Sequence, residues 1–463
     1  MKKFARTISG VTPLAVMSGP LSCPGECLYC PTYADTPQSY TPESPAVLRA
    51  IRCDYDARRQ VEMRLGIFTN MGHPTDKVEM IIMGGTFLAH PVDYQYSFIK
   101  GCYDGLNGTE SETLEEAKRI NETAGHRCTG LCIETRPDWC GQEEIDMMLD
   151  FGTTRVELGV QALSDDIYRL VRRGHEVADV VRATALLREH GFKVYYHWMP
   201  GLPGSTPERD MEMSRVLWEN EDFRPDGLKL YPTMVVEGTE LEQWYREGRY
   251  QPYDDEAMIN LIADIKSIVP KYVRISRVLR DIPAKFITAG LKDSLRDIVR
   301  ERMRQDNLEC RCIRCREYGH RVRAGHDTGE PRLTRTDYDA SGGREIFLSF
   351  EDENETLFGL LRMRIPSVPA YMARQGIDGK PAVIRELHVF GPEVPITEKI
   401  AGAAQHKGLG KALLAEAEKI ARDEFGADII AVLSGTGARE YYRTESGYTA
   451  AGNYMVKALD PQK

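Results

Sequence analysis

Between about Thr12 and Ile282, short apolar runs alternate with stretches whose apolar residues recur every three to four positions. The apolar runs predict strands at Pro13–Met17, Val78–Met83, Leu131–Glu134, Arg155–Val160, Lys193–Trp198 and Gly227–Tyr231. The longer period predicts helices at Pro45–Leu65, Gln142–Phe151, Glu176–His190, Pro207–Glu219 and Asp254–Val269. Strands separated by helices make βα units and a parallel sheet, because a parallel crossover needs a helix-length connection. Such units suit a full or partial (β/α) barrel whose working residues sit at the C-terminal ends of the strands.

The pattern then changes. Asp293–Arg323 is basic and carries a cysteine triplet, and His326–Asp339 is polar and reads as a connection. A hairpin is expected from Glu345–Phe350 and Thr356–Arg364, then a strand at Ile384–Val389, an amphipathic helix at Lys407–Phe425 and a strand at Ile429–Leu433. The expected organisation is therefore an α/β barrel domain over residues 1–292, a basic cysteine-containing linker over 293–325 and a second α/β domain over 326–463.

With 42% hydrophobic and 28% charged residues, the 463-residue chain is expected to fold rather than remain disordered. No run approaches the ~18 apolar residues of a membrane span, so no membrane partner is expected. Pro13 and Pro20 interrupt the apolar run after Lys2, Lys3 and Arg6, which argues against a secretory signal and for a cytoplasmic protein. Eleven cysteines are too few for a disulfide scaffold at this length. Six form two triplets, and Cys53, Cys102, Cys128, Cys132 and Cys140 read as ordinary buried thiols. The net charge of −10 argues against a nucleic-acid partner until its distribution is considered: Lys266–Gly325 carries +9 in 60 residues. That segment is a candidate phosphate-binding stripe, with Arg274, Arg277, Arg280 and Lys285 as candidate RNA contacts, or else a solvated helix face.

The first triplet, Cys23-Pro-Gly-Glu-Cys27-Leu-Tyr-Cys30, follows the first predicted strand. Three thiolates on one short loop can hold three irons of a [4Fe–4S] cluster and leave the fourth iron open. An open iron can chelate S-adenosylmethionine and, on electron transfer, release a 5′-deoxyadenosyl radical. Met83-Gly84-Gly85-Thr86, after the second strand, is by itself a turn in which glycines let a backbone approach a ligand closely, but it resembles the Gly-Gly motif that in radical S-adenosylmethionine barrels meets the methionine end of that cofactor. Gln405-His406-Lys407-Gly408-Leu409-Gly410-Lys411 opens the C-terminal helix, where bared amides suit a pyrophosphate. Its Q-x-x-G-x-G spacing resembles the coenzyme A loop of the GCN5-related acetyltransferases (GNAT). In that fold the preceding strand, here Glu386-Leu387-His388-Val389, offers backbone groups to the pantetheine arm, and Tyr441 and Tyr442 stand where a phenol meets the thioester. The second triplet, Cys310-Arg-Cys312-Ile-Arg-Cys315, suits structural zinc, with His320 and His326 as candidate fourth ligands.

The pairing of these two domains resembles the catalytic subunit of Elongator and its stand-alone archaeal and bacterial relatives. Ser18–Pro31, Glu134-Thr-Arg-Pro-Asp138, Arg172-Arg-Gly-His175, Met199-Pro-Gly-Leu-Pro-Gly204 and Arg439-Glu-Tyr-Tyr-Arg443 carry the resemblance, which spans essentially the full length. It departs from many relatives in having only 22 residues before Cys23. The resemblance implies a tRNA-modifying enzyme that uses acetyl-CoA and a 5′-deoxyadenosyl radical to install a carboxymethyl group at C5 of the wobble uridine in the anticodon loop, with an electron donor protein as a further partner. It also implies that Lys77 reaches from the barrel to coenzyme A. Two rival readings are a protein lysine acetyltransferase with a structural iron–sulfur cluster and an RNA-binding scaffold with vestigial sites.

Overall fold

The computed structural model describes residues 7–21, 23–292, 295–391 and 408–459. Seven parallel strands form the first sheet: β1 (Thr12–Met17), β2 (Lys77–Met83), β3 (Arg127–Thr135), β4 (Arg155–Gln161), β5 (Lys193–Trp198), β6 (Gly227–Leu230) and β8 (Arg274–Val278). They lie in that order and every pairing is parallel, the topology of a partial (β/α) barrel. Helices cover the outer face, so Leu14, Val16, Met80, Ile82, Val156 and Leu158 are fully buried in the core. A two-stranded ribbon pairs β7 (Val235–Val236) with β9 (Ile287–Ala289).

The expected helix Pro45–Leu65 is two helices, Pro45–Ile51 and Ala57–Asn70. Asp54 and Tyr55 adopt left-handed φ values of 51° and 57°, and Asp56 accepts from the Arg59 amide, which restarts the helix after the turn.

The second sheet also has seven strands, in the order β10 (Arg332–Ala340), β11 (Gly343–Glu351), β12 (Leu357–Ile365), β13 (Pro381–Val389), β14 (Ile429–Val432), β16 (Tyr454–Ala458) and β15 (Thr449–Ala451). The stretch read as a polar connection, His326–Asp339, holds most of β10. It is polar because β10 is an edge strand, buried only at Tyr338 and Ala340. The β13–β14 pairing is parallel and ends at Ile384↔Val432, although β13 runs on to Val389 against β12. Beyond Ile384 the two central strands therefore diverge, leaving one edge of β13 without a strand partner among the described residues.

The two sheets are fastened by buried charge. Arg385 on β13 donates to both carboxylate oxygens of Asp226, just before β6, at 2.7 and 2.8 Å, and to Glu345 on β11 at 2.8 and 3.1 Å. Arg364 on β12 pairs with Glu345 at 3.0 Å and with Glu189 of the barrel's helical layer. Elsewhere along the seam, Gly435 and Gly437 press against the Arg127–Gly130 backbone so closely that a Cβ at either position would overlap it.

Candidate active site

The C-terminal edge of β1 opens into the first cysteine loop. Cys23, Cys27 and Cys30 are half-buried, and the loop is pinned by Leu28 N–H donating to Val171 C=O at 3.2 Å and Leu241 N–H donating to Leu28 C=O at 2.9 Å. Burial, with the Cys27 thiolate beside it, pushes the Cys30 thiol up to about 11, so metal loading must displace its proton. Arg173 donates to Cys27 Sγ at 3.4 Å. Around the loop several buried polar atoms lack a partner among the described residues: Tyr29 Oη, Arg136 Nη1 and Gln161 Oε1. Buried groups of this kind ordinarily find a partner. Here they ring the loop as unmatched donors and acceptors, which a charged ligand with amino, carboxylate and ribose groups would satisfy. Burial, then Arg173 and Arg136, push His175 down to about 2 and keep it neutral.

The two triplets differ in spacing. The thiol sulfurs of Cys310, Cys312 and Cys315 lie within 4.8 Å of one another, whereas those of Cys23, Cys27 and Cys30 form no such tight group. Thiolates around one tetrahedral zinc stand roughly 3.8 Å apart, from a Zn–S bond of about 2.3 Å. The spacing of the second triplet fits a single ion. No histidine joins the second triplet among the described residues; His320 faces Glu317 at 3.5 Å instead.

Gly85 and Thr86 line the wall beside the cysteine loop. Gly84, with φ 135°, packs on Ser18, and a Cβ there would overlap the Ser18 hydroxyl.

One cavity of about 740 Å³ runs from Cys23, Cys27 and Cys30 through the barrel to Glu386 and His388 on β13. Its walls are charged but paired. Lys229 lies between Glu134, at 2.8 Å, and Glu157, which also accepts from His197 Nε2 at 3.0 Å. Lys193 meets Glu386 at 3.2 Å, and Arg155 pairs with Glu79. Glu386 and Glu134 were named from the sequence, but Glu157, His197, Lys229 and Glu79 were not singled out. The available signal was a charged side chain alternating with buried apolar ones inside a barrel strand, as Glu157 does between Val156 and Leu158.

At the β13 end, the unpaired strand edge meets the helix Leu409–Asp423. Gly408 precedes that helix with φ 73° and open space where a Cβ would stand. A Cβ at Gly410 would lie 3.2 Å from Tyr441 Oη and 3.6 Å from Val389, so strand, helix start and phenol converge. Leu387 packs on the second core and Leu409 is buried beside Phe358. Lys411 pairs with Glu445 at 2.5 Å on the surface. Tyr442 is only 6% exposed and packs against Tyr448 in the core, whereas the Tyr441 hydroxyl stands beside Gly410 at the helix start. Gln405 lies outside the described residues. Lys77 begins β2 opposite Arg127, the residue on which Gly437 packs.

The basic segment is not one exposed stripe. Arg274 makes a bidentate pair with the buried Glu317 at 2.9 and 3.1 Å and also lines the cavity. Arg277 pairs with Asp281 at 2.8 Å, and Arg280 donates to the Ser39 hydroxyl at 2.6 Å; both line the cavity. Lys285 pairs with Glu43 at the surface. No helix among the described residues is long and apolar enough to cross a membrane.

Residues 19–217 match the radical SAM superfamily and residues 225–305 its C-terminal domain. The chain is 66% identical over 460 residues to a tRNA uridine(34) acetyltransferase of Dehalococcoides mccartyi, covering 99% of this chain and 100% of that one. It is 43% identical over 475 residues to Elongator complex protein 3 of Danio rerio, covering 99% of this chain and 85% of the relative. An archaeal Elp3 structure from Methanocaldococcus infernus, with residues 1–46 deleted, superposes with a TM-score of 0.86 at 47% identity, covering 98% of this chain and all of the other.

Proposed function

The chain belongs to the tRNA uridine(34) acetyltransferase family that includes Elongator complex protein 3, and from that premise we propose that it installs a carboxymethyl group at C5 of the wobble uridine. The observation that carries this reading is the single cavity joining the Cys23–Cys30 loop to β13. C5 of uridine is a weak nucleophile and an acetyl methyl is unreactive, so acyl transfer alone cannot join them. A cluster on Cys23, Cys27 and Cys30, with S-adenosylmethionine, supplies a 5′-deoxyadenosyl radical able to take a hydrogen atom from that methyl group.

The chain's own residues hold the partners. Arg136, Gln161, Arg173 and the Gly85–Thr86 backbone present polar groups to the sulfonium cofactor. The second sheet is a GNAT-type domain over residues 326–463: the free edge of β13 takes the pantetheine amides, Gly408–Lys411 takes the pyrophosphate, and Tyr441 reaches the thioester. Lys77 holds the barrel side of the coenzyme. Residues 1–292 form the radical domain, and residues 293–325 bind zinc through Cys310, Cys312 and Cys315. Paired carboxylates and cations along the cavity keep its lining ionic, and Arg277 and Arg280 meet tRNA phosphates at its wall. An electron donor protein completes the reaction, which takes place in the cytoplasm. A lysine acetyltransferase would turn its coenzyme strand toward a protein surface rather than into a barrel.

Incubating reduced enzyme with S-adenosylmethionine, acetyl-CoA and tRNA, then analysing nucleosides by mass spectrometry, is expected to yield carboxymethyluridine. Uridine left unmodified, with acetylated lysine instead, would refute the proposal. Gly408→Glu is expected to lower acetyl-CoA affinity at least tenfold in calorimetry. A left-handed non-glycine residue costs about 1–2 kcal/mol, and the new carboxylate repels the pyrophosphate. Gly408→Ala, which carries only the strain, should lose less. Arg277→Ala with Arg280→Ala is expected to weaken tRNA binding and to flatten its log–log salt dependence by about 0.7–0.9 for each phosphate no longer neutralised. Filter binding across a salt series checks this, and a wild-type slope would place the RNA-binding surface elsewhere.

A further inference from the structure

His388 stands on β13 with its side chain on the cavity face, beside Glu386 and stacked on Phe390 at 4.4 Å. Its Nε2 lies 2.6 Å from the Ser9 carbonyl oxygen. A carbonyl can only accept, so Nε2 carries the proton and Nδ1 keeps its lone pair. Nδ1 has no hydrogen-bond partner among the described residues, nor is it among the buried unpartnered atoms. It is therefore an accessible acceptor on the wall beside the coenzyme strand. The carboxylates near it are committed: Glu386 to Lys193 and Arg362, Glu79 to Arg155, Glu317 to Arg274.

Resting on the carboxymethyl reading above, we propose that His388 is the general base for the hydrolytic step, activating the water that cleaves the thioester once the acetyl carbon is joined to uridine. The water oxygen bonds to the thioester carbonyl carbon, and its proton passes to His388 Nδ1. The C–S bond then breaks, His388 returns that proton to the coenzyme A thiolate to give the free thiol, and the second water proton, left on the new carboxylic acid, ionises to solvent to give the carboxylate. No electron is gained or lost. Ser9 acts as the positioning residue, since its carbonyl fixes the tautomer. Burial lowers the proton affinity of His388, opposed by Glu386 and the Ser9 carbonyl, with Arg274 lowering it and Glu317 raising it. The ring is neutral at pH 7, as a base must be.

The test is His388→Gln, whose amide retains a donor for the Ser9 carbonyl but has no basic nitrogen. In the reconstituted enzyme with S-adenosylmethionine, acetyl-CoA and tRNA, coenzyme A thiol release is expected to fall about 100-fold or more, the usual scale of a lost general base. First-turnover 5′-deoxyadenosine should stay within about twofold of wild type, because the radical step precedes the proton transfer. A uridine still joined through CH2–CO–S to coenzyme A should accumulate on the tRNA and be seen by mass spectrometry. Imidazole should restore thiol release in His388→Ala if a base is missing, and should not if packing is damaged. Wild-type thiol release by His388→Gln, or no imidazole rescue, overturns the assignment. Failure of the wild-type enzyme itself to couple deoxyadenosine to tRNA would instead overturn the carboxymethyl reading.

Discussion

Cys27→Ala is expected to abolish 5′-deoxyadenosine production while leaving acetyl-CoA binding intact. Two thiolates cannot hold three corners of a cube, and one iron must stay free for S-adenosylmethionine. The loop should keep its shape, because backbone bonds from Leu28 to Val171 and from Leu241 to Leu28 do not involve the Cys27 side chain. Arg173 would lose the thiolate it faces at 3.4 Å and remain as an uncompensated buried cation, a further obstacle to cluster assembly. β13 lies in the other sheet, and neither it nor the helix Leu409–Asp423, together the proposed coenzyme site, shares backbone with the loop. Iron analysis should show loss of the cluster, and calorimetry should show unchanged acetyl-CoA affinity. Uridine modification at the wild-type rate would exclude a radical role for this loop.

Arg385→Ala is expected to destabilise the fold by about 3–5 kcal/mol, the cost of breaking a fully buried ion pair from one side. The guanidinium is wholly buried and bonds Asp226 and Glu345 together, so its loss leaves two carboxylates in the seam between the sheets. The same seam sets the response to acid. Despite the opposing effect of burial, Arg385, Arg362 and Arg188 hold the Asp226 carboxyl well below its ordinary range, and Arg385, Arg188 and Arg364 lower that of Glu345. A carboxylate with a depressed folded value stabilises the fold above its unfolded value, near 4, and loses that contribution as pH falls toward the folded value. Stability should therefore be flat at neutral pH and decline below about pH 4. Urea unfolding of Arg385→Ala and wild type at pH 7 checks the first expectation, and a wild-type series from pH 7 to pH 3 checks the second. A difference under about 1 kcal/mol between the proteins, typical of an exposed pair, would show that the seam does not hold the domains.

Much of this architecture was legible because local rules and tertiary packing agree. Arg155–Val160 and Lys193–Trp198 read as strands from their apolar runs, and the cysteine loop read as a cluster site from its spacing and its place after β1. What was hidden depends on partners distant in sequence. The break at Asp54 and Tyr55 is a backbone turn inside a helical pattern. β10 looks like a polar connection because an edge strand buries little. The pairing of Arg274 with Glu317, 43 residues away, leaves no trace in the local charge pattern. Arg385 and Asp226 carry no local signal that sets them apart and become the seam only when two sheets meet. The continuity of the cavity between the domains is also absent from any local pattern, since Cys30 and His388 are separated by most of the chain.

The central claim is that the acetyl methyl group on the second domain gives up a hydrogen atom inside the cavity it shares with the cysteine loop. Acetyl-CoA carrying three methyl deuteria, supplied with S-adenosylmethionine and tRNA, tests it in one reaction. The account predicts 5′-deoxyadenosine carrying one deuterium and carboxymethyluridine retaining two. Unlabelled 5′-deoxyadenosine formed alongside a fully deuterated acetyl group on any acceptor would contradict it.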